Sequence, residues 1–323
     1  MDSKRLRRQY NRIYNSLGRA ELQQGTTELT AADISSLFDK SGDGLWLGFY
    51  TVEGVNVALE RYGLIDELRA LGYEDLGVVL KLDDPEEQLL RVVSKSPRFE
   101  EPLIELVARR SHITLTDELE HRLGSKSLQV LYVEWLQLQN PLADFQTERA
   151  PLPGQHLPGL GIAKNVFEIL RNVCRRLNIT ALATIPSFAH NAILYSGGFR
   201  YMDPIYQGKL TALERDLTTQ LGRDLPAISE DQQLAALSWA VLWKLVVEHS
   251  EDEEAPFDWF HEPMLTGLTP ELHAYFESEW YGREAHESSQ TTYSLMPRPL
   301  EETMRSKGII PLDIDLIDEW VQD

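Results

Sequence analysis

Residues 150–204 read APLPGQHLPGLGIAKNVFEILRNVCRRLNITALATIPSFAHNAILYSGGFRYMDP. Apolar side chains recur at helical spacing through Ile162–Leu177, and arginines favour its C-terminal half, which predicts an amphipathic helix. The β-branched run Thr180–Ile185 predicts a strand, and a short helix around Asn191–Tyr195 and a second strand at Phe199–Met202 follow it. This order is typical of a β-α-β core in an α/β or α+β sheet.

The turn before the long helix contains Gly159 and Gly161. A helix N-terminus leaves backbone N–H groups without intrahelical acceptors, and the helix dipole is positive there. The turn therefore predicts a site for a phosphate-bearing ligand. It is not a Walker A loop, because no Gly-Lys-Ser/Thr follows, and it lacks the third glycine of the dinucleotide-binding pattern.

The chain has 323 residues and a formal net charge of −20. Nucleic-acid binding needs cations that displace counterions, so this charge argues against a nucleic-acid partner, and it is compatible with a cationic substrate.

No apolar run approaches the ~20 residues of a membrane span, and no apolar core follows the basic N-terminus. The sequence thus predicts no membrane partner and a cytoplasmic location. The single cysteine, Cys174, fits a reducing compartment.

Strands are predicted upstream of this stretch. Gly77–Leu82 and Gln88–Val93 flank turn residues and predict a hairpin. Leu103–Ala108 predicts another strand, and Leu45–Tyr50 is a short apolar strand candidate. Leu128–Gln139 fits either a strand or a helix, and the neighbouring strands favour the strand.

Helical periodicity dominates the two ends of the chain. The predicted helices are residues 3–36 with a break at Gly25, Val55–Leu71, Leu210–Leu221, Asp231–His249, Pro270–Trp280 and Leu300–Lys307. Asp117–Gly124 fits either a polar connector or a short helix. The predicted organisation is an N-terminal helical segment (1–44), a sheet-containing domain (45–208) and a helical C-terminal extension (209–323).

The central stretch resembles the GNAT superfamily of N-acetyltransferases. The family pattern Arg/Gln-x-x-Gly-x-Gly/Ala is matched by His156-Leu157-Pro158-Gly159-Leu160-Gly161, with His156 in place of Arg/Gln. Downstream, the family often has an asparagine, a tyrosine and then Gly-Phe. Asn191, Tyr195 and Gly198-Phe199 are similar to that set, with one residue fewer between the tyrosine and Gly-Phe.

The resemblance implies an α/β (α+β) fold with a GNAT-like central mixed, mostly antiparallel sheet flanked by helices. It also implies that 45–208 binds acetyl-CoA as co-substrate, that the chain is an acyl-CoA-dependent N-acyltransferase, and that no metal is needed. The C-terminal extension could cover the acceptor amine or form a homodimer interface. The cofactor-binding residues implied are Leu136, Leu138, His156, Leu157, Gly159, Leu160, Gly161, Ile162, Asn191 and Tyr195.

Acetyl transfer to an amine needs a base for the amine and an acid for the departing thiolate. Glu134 is the carboxylate in the apolar run 128–139 and is the candidate base, since apolar neighbours raise a carboxylate pKa. Tyr195 occupies the family's acid position, and His190 is an alternative base because histidine titrates near neutral pH. Each also has a structural interpretation: an ion-paired glutamate, a core tyrosine and a helix-capping histidine.

Two other functions remain open from the sequence. The chain could be a non-catalytic protein of the same fold that binds CoA or a partner. It could also be a phosphate-ligand enzyme of another α/β class. No Gly-x-Ser-x-Gly motif and no tight metal-ligand spacing of histidines is present.

Overall fold

The computed structural model describes residues 3–24, 44–96, 101–146, 149–224, 228–249 and 254–296. The chain forms two compact units. The first unit comprises residues 1–142, 159–184 and 267–269, and the second comprises residues 143–158, 185–266 and 270–323. Three of these boundaries, at 142/143, 158/159 and 184/185, fall inside the predicted 45–208 domain.

The first unit contributes five neighbouring strands to an open sheet, in the order β1-β2-β3-β4-β5. Its strands are β1 (Leu76–Lys81), β2 (Gln88–Ser94), β3 (Ile104–Thr114), β4 (Ser127–Leu138) and β5 (Ala181–Thr184). All neighbouring strands are antiparallel except β4 and β5, which run parallel. The predicted hairpin and the strand interpretation of 128–139 are therefore confirmed.

The helices described in the first unit are α1 (Ser3–Ser16), α2 (Arg19–Leu22), α3 (Val52–Arg61), α4 (Leu64–Ala70), α5 (Asp117–Leu123) and α6 (Ala163–Arg176). Helix α3 contacts β1, and α6 contacts β4 and β5. Helix α6 buries Val166, Leu170, Val173 and Cys174, and each fully buried aliphatic side chain contributes about 1.5–3 kcal/mol. The architecture is mixed α/β, with a mostly antiparallel open sheet flanked by helices.

Two local predictions in the first unit need correction. Leu45–Tyr50 is a turn rather than a strand: Trp46 and Tyr50 pair across it, and Leu47 and Gly48 have φ of 54° and 64°. The N-terminal helix breaks at Leu17-Gly18, and the predicted break at Gly25 lies outside the described residues.

The second unit combines helices with two small strand groups. Its helices are α7 (Ala189–Tyr195), α8 (Pro204–Asp224), α9 (Glu230–Leu242), α10 (Pro270–Phe276) and α11 (Glu279–Ser288). Its strands are β6 (Arg200–Tyr201), β7 (Val246–His249), β8 (Glu254–Pro256), β9 (Met264–Gly267) and β10 (Thr292–Leu295). Strands β10-β7-β8 form an antiparallel sheet, and β6 pairs antiparallel with β9. The core joins α8 and α9 to this sheet through buried residues such as Leu213, Leu217 and Tyr293.

The C-terminal extension therefore contains strands as well as helices, whereas the sequence predicts a helical extension. Helix α9 ends at Leu242, Lys244 takes a left-handed φ of 58°, and the β-branched pair Val246-Val247 starts β7. The predicted helix at 300–307 lies outside the described residues. No helix in the described part of the chain is both long and apolar enough to cross a membrane.

Candidate active site

Strand β4 carries a bulge at Glu134. Trp135 lies opposite Val107 and Val133 lies opposite Ala108, so Glu134 has no partner residue on β3. A bulge adds one residue to one strand, bends that strand and increases its local twist. The bend falls immediately after the last residue of β4 that pairs with β5.

Strand β4 continues beyond β5. The parallel pairing joins Val130–Val133 to Ala181–Thr184, and β4 then runs on to Leu138. At its end, the Leu138 carbonyl accepts a hydrogen bond from the Leu160 amide at 3.3 Å. Backbone N–H and C=O groups of successive residues point to opposite strand edges, so those of every second residue share one edge. The Leu136 N–H consequently points, like the Leu138 carbonyl, to the edge that β5 has left.

The glycine turn follows at the same end of β4. Gly161 has a φ of 75°, in the left-handed region that favours glycine, and an added Cβ there would meet nothing within 4 Å. The amides of Asn165 and Val166 donate to the Ile162 carbonyl. Those of Ala163 and Lys164 lie in the first turn of α6, where no intrahelical acceptor exists. This open backbone is suited to an anion such as a phosphate group.

A partly buried polar contact fixes the start of α6. The Asn165 side-chain amide donates to both carboxylate oxygens of Glu67 on α4, at 2.6 and 2.7 Å. Burial raises the pKa of Glu67, and the hydrogen bond from Asn165 opposes that shift. The bidentate contact holds the first turn of α6 in a defined position, which sequence reasoning missed because Glu67 and Asn165 are far apart in the chain.

The candidate base Glu134 is engaged in an ion pair. Its carboxylate accepts a hydrogen bond from Arg109 Nε at 2.6 Å, and Arg109 also contacts Glu86 at 2.9 Å and Ser111 at 3.1 Å. The guanidinium lies 5.3 Å from the ring centroid of Tyr132. Glu134 can act as a base only through carboxylate lone pairs that the hydrogen bond from Arg109 leaves unused.

The other predicted catalytic residues lie on α7 in the second unit. His190 is buried and stacks on Phe188 at 5.5 Å, and its Nδ1 has no hydrogen-bond partner among the described residues. Burial lowers the pKa of His190 to about 4, so the expectation that it titrates near neutral pH does not hold. Burial raises the pKa of Tyr195 to about 12, so its hydroxyl keeps its proton at neutral pH.

The remaining predicted residues divide between the two units. Leu136, Leu138, Gly159, Leu160, Gly161 and Ile162 come together at the end of β4 and the start of α6. In the second unit, Asn191 is half-buried on α7, and His156 (exposed) and Leu157 (half-buried) lie in the loop before Gly159. Within the described residues, no group of three or more His, Cys, Asp or Glu is placed to hold a metal ion.

Comparison with known proteins adds little to this geometry. No family model matches the sequence, and no curated protein matches it. A solved structure described as "Crystal structure of bacterial toxin" is similar at 9% sequence identity, covering 70% of this chain and 84% of that chain, with a TM-score of 0.27. A TM-score of this size carries no argument about fold or function.

Proposed function

We propose that the chain is an acyl-CoA-dependent N-acyltransferase of GNAT-like fold that transfers acetyl from acetyl-CoA to an amine. The observation that carries the proposal is the arrangement at the end of β4. The strand bulges at Glu134, extends beyond its pairing with β5 and contacts the glycine turn that precedes α6. This places the part of the strand edge that β5 has left beside a helix N-terminus within one unit.

The two features suit the two ends of one ligand. The N–H groups of the glycine turn and of the first turn of α6 would bind the pyrophosphate. The Leu136 N–H, on the edge left by β5, would donate to the oxygen that becomes negative when an amine attacks the acyl carbon. When bound, acetyl-CoA supplies the acyl group as an activated thioester.

Two side chains have proposed roles in proton transfer. Glu134 would take the proton from the attacking amine, directly or through a water molecule. The resemblance to GNAT enzymes assigns the proton donor for the departing thiolate to Tyr195, whose raised pKa keeps the phenol protonated. The net charge of −20 favours a cationic amine as the acceptor, because long-range attraction raises its local concentration.

A second candidate function is CoA binding without transfer. Two observations favour it, because each weakens a candidate base for catalysis. Glu134 forms a 2.6 Å ion pair with Arg109, and burial lowers the pKa of His190. The two functions share the same ligand and differ only in turnover.

One experiment separates them. Calorimetry measures acetyl-CoA binding, and release of free thiol is followed with a panel of primary amines and polyamines. Binding with amine-dependent thiol release supports the transferase, and binding without it supports the second candidate. Absence of binding would contradict both.

The chain offers a matched control for the base. Glu21 on α2 makes a 3.3 Å ion pair with Arg61 on α3, on helices rather than on the bulged strand. We expect Glu134→Gln to lower the transfer rate by about 10²–10⁴-fold and Glu21→Gln to leave it unchanged. Equal rates for the two variants would remove Glu134 as the base.

A further inference from the structure

A serine, a histidine and a glutamate form a hydrogen-bonded chain on the β10-β7-β8 sheet. His249 Nε2 lies 2.7 Å from Ser294 Oγ, and His249 Nδ1 lies 3.2 Å from Glu254 Oε1. The three residues come from three strands, which bring together positions far apart in the sequence. This is the order of contacts that activates a serine nucleophile: hydroxyl to imidazole, imidazole to carboxylate.

The Glu254 carboxylate determines which ring nitrogen carries the proton in a neutral His249 imidazole. An ionised glutamate only accepts hydrogen bonds, so Nδ1 must carry the proton that faces Glu254. Nε2 is then left with a lone pair and accepts the hydrogen bond from the Ser294 hydroxyl. In this tautomer the histidine is set to take the proton from serine rather than donate one.

The strand that carries Ser294 is anchored to helix α8 and to the core. Tyr293 and Leu295, on either side of Ser294, point into the core and are buried. Their amides donate to Asp216 and Gln220 of α8, at 3.0 and 2.9 Å. Ser294 and His249 share the opposite, partly exposed face of the sheet, where a substrate from solvent can reach them.

We infer that Ser294 is the nucleophile of a second catalytic site, with His249 as its base and Glu254 as the residue that positions His249. Ser294 Oγ attacks an acyl carbon while His249 Nε2 takes its proton. His249 then returns the proton to the departing alkoxide or thiolate. Water then attacks the acyl-serine while His249 takes its proton. As the acyl–oxygen bond breaks, His249 returns that proton to Ser294 Oγ, which releases a carboxylic acid and restores the serine hydroxyl.

The sheet geometry limits the substrates to activated esters and thioesters. The Met296 amide donates to the Leu245 carbonyl of the neighbouring strand. By alternation, the Ser294 amide is also directed at β7 and is not available to an oxyanion. Loss of one oxyanion donor costs about 10²–10³-fold in rate. Amides need that stabilisation, whereas acyl groups with good leaving groups react without it.

The test uses two reagents that contain no CoA, so its outcome is separate from that of the proposed acyltransferase. A fluorophosphonate probe reports a reactive serine by intact mass and peptide mapping, and p-nitrophenyl acetate reports ester hydrolysis. We expect one label on Ser294 in the full-length protein. Ser294→Ala should abolish both signals, and His249→Ala should lower both rates by about 10²–10⁴-fold.

Two controls separate chemistry from folding. Ser196 is an exposed serine whose hydroxyl donates to the Ile193 carbonyl, and Ser196→Ala should leave labelling unchanged. Glu254→Gln should slow labelling at an unchanged melting temperature, and Glu254→Asp should restore part of the rate. Absence of label, label on another serine, or wild-type hydrolysis by Ser294→Ala would overturn the inference.

Discussion

Gly161→Ala tests the glycine turn with a control of the same backbone conformation. Gly161 has a φ of 75°, and Gly124, which ends α5, has a φ of 66°. An added Cβ meets nothing within 4 Å at either position. A left-handed conformation costs a non-glycine residue about 1–2 kcal/mol. Both variants should therefore lose a similar free energy of unfolding in urea denaturation.

Acetyl-CoA binding should separate the two variants. In Gly161→Ala the methyl group fills the open space beside the turn amides, or the turn shifts to relieve its strain. Losing one charge-assisted hydrogen bond to a phosphate costs about 1.5–3 kcal/mol, which is about 10–100-fold in affinity. Calorimetry should show this loss for Gly161→Ala and wild-type affinity for Gly124→Ala. Wild-type affinity in Gly161→Ala, or an equal loss in both variants, would refute the assignment of the turn.

Three further outcomes follow from the described contacts. Gly208→Ala should lower the free energy of unfolding by about 1–3 kcal/mol, because its Cβ would lie 2.2 Å from the Ala285 carbonyl oxygen. Gly222→Ala on the same helix, with its nearest atom at 3.7 Å, should not, and denaturation of both variants checks this. Since burial lowers the pKa of His190 to about 4 and the unfolded value is about 6.5, the unfolded chain binds more protons between these values. Stability should fall by about 2 kcal/mol from pH 7.5 to pH 5 through this residue alone, and His190→Leu should lose less; an equal loss would contradict burial of a neutral ring. Tyr195→Phe should lower the rate of acyl transfer more than the affinity for acetyl-CoA, and an unchanged rate would remove Tyr195 as the acid.

Periodic patterns predicted much of the first unit. The sequence patterns of α6 and of the β1–β2 hairpin predict their secondary structure directly, because one face of each element must be buried. The run Ala235–Val247 misled because a continuous apolar stretch fits a buried helix and a buried strand alike. Its division at Lys244 depends on tertiary pairing of β7 with β8 and β10.

The sites were harder to predict than the elements. The glycines of the turn and Glu134 stand out in the sequence, whereas the bulge at Glu134 depends on how β3 and β4 pair. Strand register also determines the contact of Glu134 with Arg109. It likewise determines the hydrogen bonds that link Ser294, His249 and Glu254. Local propensity contains no information on register between distant segments.

Hydrogen exchange with mass spectrometry, with and without acetyl-CoA, tests the central claim most directly. The claim predicts slower exchange in peptides covering 134–138 and 159–166, where the strand edge and the first turn of α6 would bind the ligand. Peptides of β1 and β2 should exchange unchanged. Identical exchange in all peptides at saturating acetyl-CoA would contradict the claim.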